Sequence, residues 1–388
     1  MPEWIEMAFL DVCEAYQPKT ISAKDMKPDG CYPVFGANGQ IGRYDKYNHE
    51  NVEILLGCRG SCGVINLSSP KSWVTGNAMV VRPRRPDLDR SFLKYYLEAA
   101  SRFSGIITGV AQPQITRKSL AQLRISYPAI EEQHRIVAIL DEVFEGVSKA
   151  MANTEKNLVN SHALFSGQLE RAFDANQEQT RLHTLATEVT DGDHSPPPKA
   201  PSGIPFVTIS NIVKETGEID FSDTFFVSPD YFRNLKENKK PRVGDILYTV
   251  TGATLGIPIL IAKQNDFCFQ RHIGLIRPKQ DVDSRWLCYA LASPHVFAQA
   301  TAGSTGAAQK TVSLNVLRNI EVPRISLPSQ RAIADRLDSL ADQARLLTNN
   351  CRQRIELLAA LKHSILAVAF SGGLDPLASS VLEKAAAE

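Results

Sequence analysis

The sequence predicts an α+β protein of two pseudo-repeated modules, each closed by a long helix, with the two helices joining and spacing the modules as an antiparallel coiled coil. Three observations predict it. A helix-forming pattern occurs twice at a fixed offset of 197 residues, carrying Gln133, Ile136, Leu140, Asp141, Leu158 and Phe173 onto Gln330, Ile333, Leu337, Asp338, Ile355 and Phe370. Upstream of each copy the same landmarks follow in the same order, at an offset that drifts from 192 to 197. Between the landmarks the halves differ, as expected of one scaffold that carries two sets of loops.

In the first half, the apolar run 52–56 reads as a strand, ended by the glycine-rich turn Gly57-Cys58-Arg59-Gly60-Ser61-Cys62-Gly63. Its counterpart is Val243-Gly244-Asp245-Ile246-Leu247, followed by Gly252-Ala253-Thr254-Leu255-Gly256, with a strand read over 246–250. Strands at 78–81 and 273–276 follow, closing on Arg82-Pro83 and Arg277-Pro278, with a further strand at 257–261. Short helices are expected over 90–102 and 284–299, and then the paired loops Thr108-Gly109-Val110-Ala111-Gln112 and Thr305-Gly306-Ala307-Ala308-Gln309.

Each half ends in the long helix. The first seam runs through Ile136, Leu140, Val143, Val147, Thr154, Leu158, Phe165, Leu169 and Phe173. The second runs through Ile333, Leu337, Leu340, Ala344, Leu347, Cys351, Ile355, Leu358, Ile365 and Ala369. Steps of three and four residues make both heptad-like. Pro128 and Pro328 stand just before the helices, Gly167 interrupts the first, and Gly372-Gly373 ends the second. At 1.5 Å per residue each helix is roughly 60 Å long, well beyond the ~15–20 Å radius of one module. Pairing the two seams buries both.

Composition bounds the class. A chain of 388 residues with 43% hydrophobic and 22% charged residues suits two to three globular domains. No apolar run approaches the ~20 residues of a membrane span, and Met1-Pro2-Glu3-Trp4-Ile5-Glu6 does not read as a secretory signal. Seven scattered cysteines fit a reducing cytoplasm better than a disulfide framework. Residues 1–130 carry 16 Lys/Arg against 12 Asp/Glu, and residues 131–175 carry 4 against 8. The first module is thus mildly basic and the first helix acidic, a weak pointer to nucleic acid.

Motifs of catalysis are weak. Pro229-Asp230, six residues and then Glu237-Asn238-Lys239 match the spacing of metal-dependent nucleases, but Ser228-Pro229-Asp230 reads as a helix cap and first turn. The turn 57–63 lacks the Gly-Lys-Ser/Thr of a phosphate loop. Cys58 and Cys62 have no second ligand pair for zinc, and Asp191-Gly192-Asp193-His194 reads as a turn. There is no Asn-Pro-Pro-Tyr or Asp-Pro-Pro-Tyr for amino-methyl transfer. The expectation is a binder with no catalytic or metal-ligating residue. A protein–protein adaptor built on the paired helices, or a stand-alone nuclease or methyltransferase, are the alternatives.

The order of landmarks resembles the specificity subunit of type I restriction–modification enzymes. Glu131-Glu132-Gln133-His134-Arg135-Ile136-Val137 looks like that family's helix entry. Val189-Thr190-Asp191-Gly192-Asp193-His194-Ser195-Pro196 looks like its domain opening, and Gly244-Asp245-Ile246-Leu247 and Gly109-Val110-Ala111-Gln112 like its framework. The resemblance implies target-recognition domains at 1–130 and 176–325, spacer helices at 131–175 and 326–373, and a tail at 374–388. It implies a bipartite double-stranded DNA target and two methyltransferase subunits that bring S-adenosylmethionine to adenine. A restriction and translocase subunit would bring ATP and Mg. This chain itself would hold no cofactor.

Base-reading residues do not transfer from the resemblance, so candidates follow from side-chain chemistry in the loops. Arginine suits guanine, Gln and Asn suit adenine, and Lys, Ser and Thr suit phosphate. The first module offers Arg43, Lys46, Arg59, Ser61, Lys71, Gln112, Arg117 and Lys118. The second offers Thr251, Thr254, Arg271, His272, Gln309 and Lys310.

Overall fold

The structure, a computed structural model, describes residues 4–370 apart from 100–102, 104, 110, 111, 175, 196, 215 and 307–309. The chain divides into two compact units, Met1–Glu155 with Gln353–Glu388, and Lys156–Arg352. The expected Gly372-Gly373 stop and the tail lie outside the described residues.

In the first unit, β1 (Ile5–Ala8) pairs antiparallel with β9 (Arg124–Tyr127), tying the two ends of the module together. A four-stranded antiparallel sheet runs β2 (Cys13–Tyr16), β8 (Ala78–Pro83), β5 (Ile54–Gly57), β6 (Ile65–Leu67). A three-stranded sheet runs β4 (Gly39–Tyr44), β3 (Tyr32–Gly36), β7 (Trp73–Val74), with β3 and β7 parallel. Helices α1 (Phe9–Val12), α2 (Arg90–Glu98) and α3 (Arg117–Leu120) connect them.

The run Ile54-Leu55-Leu56 shows no alternation because β5 is covered on both faces, as central strands between two layers are. Ile54 and Leu56 join the core under Phe92, Leu93 and Tyr96 of α2. Leu55 faces Phe35 and Val74 of the small sheet. The same core takes in Ile136, Leu140, Val143 and Val147 of α4 (Ile130–Ala172), and Ile365, Leu366, Ala369 and Phe370 of α10 (Leu327–Phe370). The two helices therefore pack together here, and Phe370 sets its ring edge-on to Phe92 at 5.3 Å and Tyr96 at 5.5 Å.

The second unit repeats these three sheets in the same strand order and adds one hairpin. β10 (Gln179–Arg181) pairs with β20 (Glu321–Pro323). The larger sheet runs β11 (Ala186–Asp191), β19 (Ile273–Pro278), β16 (Ile246–Thr249), β17 (Pro258–Leu260). The smaller runs β15 (Phe225–Val227), β12 (Ile204–Val207), β18 (Cys268–Phe269), and again its short strand is parallel. A hairpin of β13 (Ile212–Val213) and β14 (Glu218–Ile219) is an insertion with no counterpart among the described residues of the first unit. Ile246 and Tyr248 face the helices, α7 (Ser284–Ala292) among them, while Leu247 faces the other layer. Leu169 and Phe173 of α4 share that core with Ala334 and Leu337 of α10, and Ser161 reaches the Ala344 carbonyl at 3.5 Å. Helices α5 (Leu182–Leu185), α6 (Pro229–Asn234), α8 (Pro294–Ala302) and α9 (Leu314–Asn319) complete it.

Three expectations need correction. The helix expected at 284–299 is two helices, because Ser293 ends α7 and caps Val296 N of α8, with Pro294 in its first turn. Pro328 lies inside α10 rather than before it, in the first turn, where the missing N–H has no helical partner to lose. Leu347 leaves the seam: it is 43% exposed, and buried Thr348 takes the inward position. A helix of 3.6 residues per turn drifts ~20° per heptad, which carries the seven-residue step from Leu340 outward.

Buried His49 makes one stability prediction. Its Nε2 meets the Tyr16 hydroxyl at 2.9 Å and its Nδ1 meets Asn48 Oδ1 at 2.6 Å. Burial lowers its pKa, with Arg82 adding to the effect and Glu53 opposing it. The unfolded chain takes up a proton near pH 6.5 that the folded module refuses, so stability is full above that pH and falls below it. Between pH 7.5 and 5.5, the hydrogen-exchange protection factors of β2, β8 and β5, taken relative to the intrinsic exchange rate at each pH, should fall more in the native protein than in His49→Asn. Identical pH profiles in the two proteins would show that His49 is not the source.

Candidate nucleic-acid interface

Three side-chain devices appear once in each unit and explain the repeated residues. Gln133 accepts from Asp89 N at 2.8 Å and donates to the Asp87 and Pro128 carbonyls, both at 2.8 Å. Gln330 likewise accepts from Asp283 N at 2.8 Å and donates to the Ile325 carbonyl at 3.1 Å. Tyr95 donates to Asp141 at 2.5 Å, and Tyr289 to Asp338 at 2.8 Å. Arg82 forks onto buried Glu53 with bonds of 2.9 and 2.6 Å, and Arg277 onto buried Asp245 with bonds of 2.9 and 2.7 Å. These groups hold helices to modules and strands to strands. They leave the loops free to differ.

At one end of each larger sheet the backbone forms the same knot. Cys58 N donates to the Asn77 carbonyl at 3.0 Å, and its carbonyl accepts from Ile115 N at 2.9 Å. Val250 makes the equivalent bonds with His272 at 3.0 Å and Val312 at 2.8 Å. Thr108 and Gln114 exchange bonds of 2.9 and 2.8 Å, and Thr305 and Thr311 exchange bonds of 3.0 and 2.9 Å. Gly109 and Gly306 turn these loops at φ +87° and +99°, where a side chain would be strained. Gly57 also admits no Cβ, since the Ser61 and Ala37 carbonyls occupy that space.

The first unit's candidates fall into two groups. Exposed Arg59, half-buried Ser61 and exposed Gln112, Arg117 and Lys118 belong to the knot and to α3, which Thr116 caps by accepting from Ser119 N at 3.1 Å. Arg43, Lys46 and Lys71 belong instead to the smaller sheet. Arg43 spends its guanidinium on the Gly30 and Cys31 carbonyls at 2.6 and 2.9 Å. Lys71 holds a left-handed φ of +50° and lies 3.7 Å from Glu50. Lys46 is exposed beside Tyr47, whose ring meets Tyr32 at 4.9 Å.

In the second unit, Arg271 and His272 line a cleft of about 300 Å³ with Asp191 and Thr311. Burial, and then the Arg271 charge, push the His272 pKa down. Lys310 is exposed beside this cleft. Thr251 is buried, with its hydroxyl 3.2 Å from the Lys310 carbonyl and 3.1 Å from the Thr311 hydroxyl, so it braces the loop. The Thr254 carbonyl accepts from the Thr249 hydroxyl. Gln309 lies outside the described residues. Asn77, Gln114 and Thr311 sit in the knots and were not among the candidates. Their one sequence signal is that they flank repeated landmarks.

The nuclease-like spacing does not converge. Asp230 lies in α6 and pairs with Arg233 on the surface, while Ser228 caps that helix at Tyr231 N, 3.2 Å away. Glu237 pairs with Lys240 at 2.7 Å and Arg242 at 2.9 Å, which hold its carboxyl below the usual range. In the turn at 191–194, His194 meets Asp191 at 2.9 Å, and Asp193 accepts from the Tyr231 hydroxyl at 2.7 Å. No helix among the described residues is long and apolar enough to cross a membrane.

Comparison with known proteins agrees with this doubled plan. The family model of the type I restriction modification DNA specificity domain matches residues 1–160 and 193–357. A putative type I specificity subunit of Mycoplasma pneumoniae is 22% identical over 343 residues, covering 85% of this chain and 87% of its own. The type I restriction enzyme MjaVIII specificity subunit of Methanocaldococcus jannaschii is 25% identical over 318 residues, covering 75% and 72%. A structure described under complex assembly and conformational transition of the type I R-M system superposes with a TM-score of 0.73 at 20% identity, covering 96% of this chain and 99% of that one. The HsdS subunit of Thermoanaerobacter tengcongensis gives 0.55 at 18% identity, covering 96% and 98%. With the family's domain matched twice on a fold that repeats its sheets in the same strand order, the chain belongs to the specificity subunits of type I restriction–modification systems.

Proposed function

We propose that each module reads one half of a bipartite double-stranded DNA target, and that the chain presents this target to catalytic partner subunits. One observation carries the reading. The two knots have the same backbone and unlike side chains, Arg59 and Gln114 in one and Thr251 and Thr311 in the other. A fixed frame with changeable polar groups is what base-edge readout requires. The partners are two methyltransferase subunits holding S-adenosylmethionine, joined for restriction by a translocase subunit using ATP and Mg, all in the cytoplasm. In support of docking, Leu164 of α4 and Leu361 of α10 occupy equivalent repeat positions and are 69% and 40% exposed. Isolated exposed leucines are ordinary, but a repeated pair fits two copies of one partner.

The test is methylation-sensitive sequencing of DNA from a host that carries the whole system. A split motif, with two specified parts around unspecified base pairs, is expected. A contiguous motif, or methylation without sequence preference, would overturn the proposal.

A further inference from the structure

Arg59 and Gln114 form an antiparallel bridge, so their side chains leave the same face of the knot. In such a pair the Cβ atoms stand about 4.5–5.5 Å apart. The backbone beneath them is fixed from several sides: Arg59 N donates to the Asn77 carbonyl at 3.3 Å, and Cys62 Sγ donates to the Pro113 carbonyl at 3.0 Å. Arg59 is exposed and Gln114 half-buried, and neither side chain has a hydrogen-bond or ion-pair partner among the described residues. The equivalent bridge in the second unit joins Thr251 and Thr311. There the hydroxyls satisfy each other at 3.1 Å, and Thr251 also meets the Lys310 carbonyl. The same frame thus carries an unpaired fork and amide in one module and a closed pair of hydroxyls in the other.

Resting on the reading of each module as a half-site reader, we propose that Arg59 and Gln114 are a base-reading pair for adjacent base pairs. Arg59 takes the O6 and N7 edge of a guanine, and Gln114 takes the N6 and N7 edge of a neighbouring adenine. Arginine and glutamine match those edges bidentately. Side chains rooted about 5 Å apart reach successive base pairs, which stack about 3.4 Å apart. Thr251 and Thr311 offer no such fork, so the second half-site has no counterpart to this contact.

Arg59→Ala and Gln114→Ala, each in the full chain and assembled with its partner subunits, test this by methylome sequencing. Arg59→Ala should relax one guanine, and Gln114→Ala the base next to it, in the half-site that follows residues 5–127 in a module exchange. Discrimination at each base should fall by roughly 5- to 150-fold. If methylation drops too far to sequence, binding of the purified complex to duplexes substituted at each motif position gives the same reading. An unchanged motif overturns the proposal. So does a loss of affinity that is equal on all duplexes and lowers the salt slope by about one charge, which identifies a phosphate contact. Both of these failures leave a split wild-type motif standing, whereas a wild-type motif that is not split removes the half-site reading itself.

Discussion

Exchange of residues 5–127 for the matching module of a related subunit is expected to rewrite one half of the methylated motif and leave the other half intact. The cut points follow β1 and β9, where Ile5 pairs with Tyr127, so the exchange moves a closed piece of sheet. The incoming module meets α4 through the apolar core around Ile136, Leu140, Val143 and Val147, and through two polar contacts that must also survive. One is the main-chain N–H of Asp89, which Gln133 grips, and the other is the tyrosine that donates to Asp141. A donor with the same cap and tyrosine should seat without strain. Each mismatched base pair costs about 1–3 kcal/mol, and well-separated positions add. A half-site of three or four specified bases is therefore exchanged almost completely, by several orders of magnitude in preference. Sequencing the methylated positions in cells with the native and exchanged chains measures both halves together. If both halves changed, the modules would not be independent readers.

Asp245→Ala should cost the second unit about 3–5 kcal/mol, the range for stripping a buried charge of its partner. The Asp245 carboxylate is almost wholly buried and accepts from Arg277 Nε and Nη2 and from Arg242 N at 2.9 Å. Arg277 lies on β19, between β11 and β16, where its charge has little access to water. Glu53→Ala in the first unit should cost less. Its partner Arg82 is 43% exposed in its side chain and lies 4.0 Å from Glu14, so water and a second carboxylate take up the charge. Denaturant midpoints, followed by Trp286 fluorescence for the second unit and Trp4 and Trp73 for the first, compare the two. Equal shifts would mean that burial does not set the strength of these pairs.

The doubled plan was legible because the long helices repeat without slippage and keep an apolar seam. The central strands were legible because both faces of β5 and β16 are covered, leaving unbroken apolar runs. Local chemistry overrode periodicity where the two disagreed, as at Ser293-Pro294, which divides one apolar stretch into two helices. The knots were far less legible. Arg59 comes to lie beside Gln114 because Cys58 bonds to Asn77 and Ile115 through backbone bonds between residues well apart in sequence, which leave no periodic trace. Thr251 reads as a polar loop residue in sequence, and only its tertiary partners show that it is buried.

The Gln133 and Gln330 grips have a consequence for how such chains change over generations. Among the described residues, the Gln133 side chain bonds only to main-chain atoms of Asp89, Asp87 and Pro128, and that of Gln330 only to those of Asp283 and Ile325. Every amino acid supplies a carbonyl and every one but proline an N–H, so the joint ignores the side chains on its far side. Mutation can rework a module's loops without any matching change at these glutamines, while the shared apolar core and the tyrosine–aspartate bond still require matching side chains from the module. Inheritance of the joint and inheritance of the module's loops are thereby uncoupled.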